Sequence, residues 1–313
     1  MELRFRAGDA SLAGTLTLPD ADGRLPWVLL IPSWLPRDRG GGWDRAGHSS
    51  WFSGPPIDGL FARVAEALAE RGVASLRYDP RGCGESDGAW ERTALFTRID
   101  DARDAIGAMR SRSELDLRRT AIVGHGEGAG IALSVSIGDP AVGAVGLIGA
   151  SARSLRTVLR QGAAERSRSG VDREHPVVAA LDTRIEELIE RTERGEGTLD
   201  LEVAGETVTL ELAGWDQGFH TPPIALATML HRNVAMLHGG MDAWSDPAEG
   251  RILAAALAEA GNDPLLTVVD DAGHDLAEAD DGVIGAFTDA LIARMEPREL
   301  PPVLVAIEQM GRA

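Results

Sequence analysis

The chain opens on strict alternation. In "LRFRAGDASLAGTLTLP" polar and apolar residues trade places on either side of a Gly-Asp pair, a pattern that predicts an antiparallel hairpin. Continuous apolar runs follow at "WVLLIP", "VASLRYD", "TAIVG" and "VGAVGLIGAS", as expected of strands covered on both faces. Between them lie stretches with apolar positions at helical spacing: "IDGLFARVAEALAERG", which ends on a glycine stop, "TRIDDARDAIGAMRSR", and a small-residue helix that starts at Glu127. Strand and helix alternate in the order that builds a doubly wound, mostly parallel α/β sheet.

From Ser154 to Leu230 the rhythm changes. Two helical segments, "SLRTVLRQGAAERS" and "VVAALDTRIEELIERTE", precede the alternating stretch "TLDLEVAGETVTLEL", which reads as a second hairpin. "NVAMLHGG", "PAEGRILAAALAEAG", "LLTVVD" and "GVIGAFTDALIARM" then resume the sheet, and the tail "PPVLVAIEQM" is expected as a short helix. The expected organisation is a core of residues 1–153 and 231–313 interrupted by a cap at 154–230.

Composition narrows the partners. A formal net charge of −18 repels phosphate backbones, so nucleic acid is not expected. All basic residues are arginine, which excludes a Schiff-base lysine. The start "MELRFRAGDA" has no apolar signal region and no 18-residue apolar run occurs, so neither a signal peptide nor a membrane span is expected. The one cysteine, Cys83, fits a reducing cytoplasm. No metal-ligand spacing appears among the seven histidines, and no cofactor is expected.

The chemistry concentrates at "GHGEGAG". After the apolar run "AIV" comes a Gly-rich turn into a helix, framed as Gly124, His125, Gly126, Glu127, Gly128. That frame is the G-x-S-x-G nucleophile elbow with glycine where serine belongs. With "RYDPRGCGESDG", "LHGGMDAW" and "DDAGHD", it resembles the α/β-hydrolase superfamily, in particular the serine-hydrolase branch of esterases, thioesterases and peptidase-like members. There the elbow reads GHSEGG. The resemblance covers nearly the whole chain and implies a fold of that kind with an inserted helical and hairpin cap. It also implies that Asp242 is the triad acid and His274 the triad base.

Both residues follow a core strand, which puts them at the carboxyl edge of the sheet, where open α/β sheets bind ligands. A histidine serves as base when a carboxylate holds its tautomer and stabilises the imidazolium. Taken alone, His274 also reads as an ordinary loop histidine and Asp242 as a turn residue. His125 and Glu127 shape and support the elbow; the N–H groups of Gly126 and Glu127 remain candidate oxyanion donors, and His125 is counted among the substrate contacts.

A second departure accompanies the missing serine. The branch resembled here carries HGSGPxDRD after the third strand, part of its oxyanion hole. This chain reads "PSWLPRDRG", with Pro32, Ser33, Trp34 and Leu35 in place of HGSG. Pro32 has no N–H to donate. Two changes in two places argue for natural divergence over an engineered substrate trap, the remaining alternative, and ordinary ester hydrolysis through a covalent serine is not expected. Ser33 is read as a substrate-positioning group before a nucleophile, and Cys83 as inert.

Seven tryptophans stand against one tyrosine. Any one of them is by default core packing. Trp34, Trp43, Trp51, Trp215 and Trp244 fall in loops or in the cap, and suggest an apolar pocket for a bulky hydrophobic small molecule. A homodimer is compatible with these features.

The leading expectation is a non-hydrolytic enzyme, a lyase or cyclase in natural-product chemistry, in which the His274–Asp242 pair moves protons. Hydrolysis by a His274-activated water is the alternative within the hydrolase class. A non-catalytic ligand-binding protein is the alternative from a different class, disfavoured by retention of both residues of the pair.

Overall fold

The computed structural model describes residues 1–44, 59–170, 176–203, 205–297 and 305. Trp51 and the tail helix expected over 301–310 lie outside the described residues, Val305 excepted.

The opening alternation forms β1 (Glu2–Ala7) and β2 (Ala10–Thr17), paired antiparallel. Next in the chain come β3 (Leu25–Ile31), α1 (Leu60–Glu70), β4 (Ala74–Tyr78), α2 (Leu95–Met109), β5 (Leu115–His125), α3 (Glu127–Gly138) and β6 (Val142–Ile148). The interrupting segment holds α4 (Leu155–Ser169), α5 (Pro176–Asp182), α6 (Ile185–Glu193), the hairpin β7 (Thr198–Val203) and β8 (Glu206–Glu211), α7 (Trp215–His220) and α8 (Pro223–Ala227). The sheet resumes with β9 (Asn233–Gly239), α9 (Pro247–Glu259), β10 (Pro264–Val269) and α10 (Asp281–Ile292).

Eight strands make one sheet in the order β1-β2-β4-β3-β5-β6-β9-β10, parallel from β4 onward. The apolar runs are explained by burial on both sides. On β3, Val28 and Leu30 face α1 and α10, whereas Trp27, Leu29 and Ile31 face the layer of α2, α3 and α9. The chain winds outward from β3 to β4, then returns to lay β5 on the other side of β3. The carboxyl ends of β3 and β5 therefore flank the topological switch point, where the sheet opens a crevice.

The interrupting segment has its own apolar interior. Leu188 and Ile189 of α6 and Leu199 and Leu201 of β7 are buried with Trp215 and Phe219 of α7, alongside Trp90 and Leu35. The helical stretch expected over 177–193 is broken between Asp182 and Ile185. Asp182 turns back to take both guanidinium arms of the buried Arg166 at 2.6 and 2.8 Å, and Arg184 leaves helical geometry at φ −125°, ψ 17°. Among the described residues, no helix is long and apolar enough to cross a membrane.

Candidate active site

The elbow forms where β5 meets α3. Gly126 sits between them at φ 57°, ψ −118°, a setting that side-chain-bearing residues enter only under strain, and its N–H donates to Ile148 O at 2.9 Å. The first N–H groups of α3, beginning at Glu127, have no partner inside the helix and carry the positive end of its dipole.

Asp242 and His274 meet beside this turn. Asp242 follows β9, its side chain fully buried, and its Oδ1 accepts the N–H groups of Trp244 and Ser245 at 2.8 Å each. That leaves Oδ2 for His274 Nδ1, 2.8 Å away. Gly149 makes room for the pair: a Cβ there would lie 3.1 Å from the imidazole and 3.4 Å from Asp242 Oδ2. Burial works against a charged His274, but Asp242, with the nearby Asp275, outweighs it and holds the imidazole above its ordinary pKa. His238, also buried, lies 3.5 Å from Asp242 Oδ2 and is held below its ordinary value by burial.

His274 Nε2 points at the elbow, 3.0 Å from where a Cβ on Gly126 would stand. Ser33 meets the same point from the other side, its Oγ 2.3 Å away. The register explains the meeting. Ile31 of β3 pairs with Gly124 of β5, so two residues further on Ser33 comes abreast of Gly126.

Above this floor lies a cavity of about 90 Å³. Ser33, Gly126, Glu127 and His274 line its base, and Leu95, Ile99, Leu155, Val158, Trp34 and Trp244 supply apolar wall. Arg153 and Thr221 add polar groups. An apolar pocket with few convergent polar groups is the usual form of a small-molecule site.

Two expected contacts belong elsewhere. His125 does not line the pocket: its ring is buried, and Nε2 donates to the carbonyl of His274 at 3.0 Å. Burial, with the neighbouring His274 and Arg37, holds it well below the ordinary histidine pKa, so it is neutral. Trp215 faces a side recess shared with Trp34 and Trp90, its ring 5.0 Å from that of Trp34. Trp43 packs under Arg37, whose guanidinium carbon lies 4.0 Å from the ring centroid. Cys83 is buried, and burial pushes its thiol up, as an inert cysteine requires.

Sequence reasoning missed several supports. Arg98 Nη1 donates to Glu127 Oε2 at 2.7 Å and to the Trp34 carbonyl at 3.2 Å, joining elbow to loop. Arg37, fully buried, lies 2.8 Å from Asp275 Oδ1 beside the base. The match of Arg39 to the DRD element was a signal, but for structure: its guanidinium and N–H hold Asp79 of "RYDPRG". Arg37 and Arg98 carry no such pattern.

Comparison with known proteins bears on the fold that carries this site. Residues 58–169 match the family described as Hydrolase_4, serine aminopeptidase, S33. A thiohydrolase of Arthrinium phaeospermum, apmlB, is 33% identical over 89 residues, which span 28% of this chain and 29% of that protein. Among solved structures, Est1E from Butyrivibrio proteoclasticus with ferulic acid bound superposes with a TM-score of 0.65 at 14% identity, over 93% of this chain and 99% of its own. The α/β hydrolase GrgF from Penicillium sp. sh18 gives 0.64 at 16%, over 94% and 98%. At these identities the structural likeness is one of fold.

Proposed function

We propose that this chain, which has the fold of the α/β-hydrolases and matches the serine aminopeptidase model over residues 58–169, is a hydrolase of ester or thioester bonds in bulky, apolar small molecules, with His274 and Asp242 as its acid–base pair. The observation that carries this is the placement of His274. Asp242 holds Nδ1 at 2.8 Å, while Nε2 is turned onto the floor of the apolar pocket, toward the Gly126 turn that Ser33 Oγ also approaches. Neutral Nε2 takes a proton from a hydroxyl nucleophile and later returns it to the leaving group. The N–H of Glu127 is a donor for the oxyanion. A thiohydrolase among its partial relatives and a fold neighbour bound to ferulic acid support an acyl substrate.

Elimination or cyclisation is the second reading, favoured by the absence of any side chain at Gly126. It uses the same base to remove a proton from substrate carbon or hydroxyl. It ranks second because the space freed at Gly126 already holds Ser33 Oγ.

Product analysis in ¹⁸O-water separates the two. With a panel of aryl and acyl-thiol esters, hydrolysis puts one solvent oxygen into the acid released, and His274→Ala lowers the rate by about a hundredfold or more. Product formation without solvent oxygen would select elimination or cyclisation, and a rate indifferent to His274→Ala would remove the acid–base account.

A further inference from the structure

Sequence alone presents two separate departures from the serine-hydrolase pattern, a glycine at the elbow and a rewritten loop after β3. In the folded chain they face each other. Ser33 Oγ stands 2.3 Å from the position of a Gly126 Cβ, closer than two unbonded heavy atoms approach, so a side chain at 126 would force the Ser33 hydroxyl out of its present place. The two departures meet at one point, just beyond the ends of two adjacent strands.

We propose that Ser33 is the nucleophile of this site, the hydroxyl having moved from the end of β5 to the end of β3. This rests on the hydrolase reading above. Ser33 lines the pocket floor, its Oγ and His274 Nε2 converge on one point, and among the described residues no hydrogen bond engages that Oγ. No hydrogen bond joins it to His274 Nε2 either, so the hydroxyl must turn toward that nitrogen to give up its proton.

The step is that of a serine esterase. Ser33 Oγ bonds to the acyl carbon as its proton passes to His274 Nε2, and the carbonyl π pair moves onto oxygen. Collapse re-forms the carbonyl and breaks the C–O or C–S bond, and the alcohol or thiol leaves with the proton from His274. Water, deprotonated by His274, then adds to the acyl carbon. The Ser33 ester bond breaks, Ser33 recovers the proton, and the carboxylic acid departs.

The test uses a fluorophosphonate probe, a p-nitrophenyl ester series and the full chain. The expected result is stoichiometric labelling mapped to Ser33. Ser33→Ala should abolish labelling and lower ester turnover by roughly a thousandfold or more. Labelling at another residue, or none, overturns the assignment. Turnover that survives Ser33→Ala but not His274→Ala also overturns it, while leaving the hydrolase reading in place. Absence of solvent ¹⁸O uptake in the wild type instead removes the hydrolase reading itself. Ser33→Cys guards against misfolding as an explanation. Its thiol should react with iodoacetamide below the ordinary thiol pKa, and about tenfold more slowly once His274→Ala is added. Buried Cys83 gives little background. If the thiol of the Ser33→Cys variant reacts at the same rate with and without His274, the pairing is contradicted.

Discussion

His125 is bonded to the main chain of His274: its Nε2 lies 3.0 Å from the His274 carbonyl oxygen, and the two rings are 4.4 Å apart. The residue before the elbow thus fixes the loop that carries the base. His125→Phe keeps a ring in the cavity but leaves that carbonyl without its donor. It should cost about 1–3 kcal/mol in urea unfolding and lower kcat more than it raises KM. Unchanged stability and kcat would show that the bond positions nothing.

Asp242→Asn should leave the fold intact, since its Oδ1 bonds to Trp244 and Ser245 need only an acceptor. It should lower kcat by on the order of 10⁴, because an amide can donate to Nδ1 and select the wrong tautomer. Near-wild-type kcat would remove Asp242 from the mechanism.

The acid limb of the rate profile tests the same contact. His274 must be neutral to act as base, so activity falls as pH drops through its pKa. Asp242 holds that pKa above 6.5 against the opposing effect of burial. The kcat/KM limb should therefore lie above pH 6.5, and the residual activity of Asp242→Asn should show a limb displaced to lower pH. A limb that stays in place would assign the titration to another group.

Arg98 ties α3 to the loop after β3 through Glu127 and the Trp34 carbonyl. Arg98→Met should raise KM and lower kcat by about tenfold, through misplacement of groups it never shares with substrate. In a double-mutant cycle with Glu127→Gln the two losses should be non-additive by about 0.5–3 kcal/mol. Additive losses would show that the pair is not coupled.

Arg37 and Asp275 form a buried ion pair behind the base, 2.8 Å apart. Arg37→Met strands the carboxylate and should destabilise by about 3–5 kcal/mol, whereas Arg37→Met with Asp275→Leu should recover much of that loss. Chemical denaturation of the three proteins reads it directly. A double variant no more stable than Arg37→Met would show that packing of Arg37 over Trp43, rather than the charge, carries the stability.

Much of this protein is local physics and is written in the chain. Two-sided burial demands apolar runs, so β3, β5, β6 and β9 are visible as such. A tight strand-to-helix turn demands glycines, so the elbow at Gly126 is visible too. Patterning placed Asp242 and His274 just beyond strands, and it was the resemblance of their motifs to the α/β-hydrolase pattern that paired them, as their hydrogen bond does.

Relationships between strand ends are different, since they depend on which strands become neighbours and in what register. Nothing near Ser33 in the sequence says that β3 will lie against β5 with Ile31 opposite Gly124. Nothing near Gly126 says that its missing side chain leaves room for a hydroxyl from another strand. The same holds for Arg98 reaching Glu127, for His125 turning to the His274 carbonyl instead of the substrate, and for Trp215 lining the side recess with Trp90. Local patterning sets the elements and the chemistry at their ends. The winding of the sheet, which makes β5 return to the far side of β3, selects which of those ends meet, because only packing of the whole sheet brings distant residues within bonding distance.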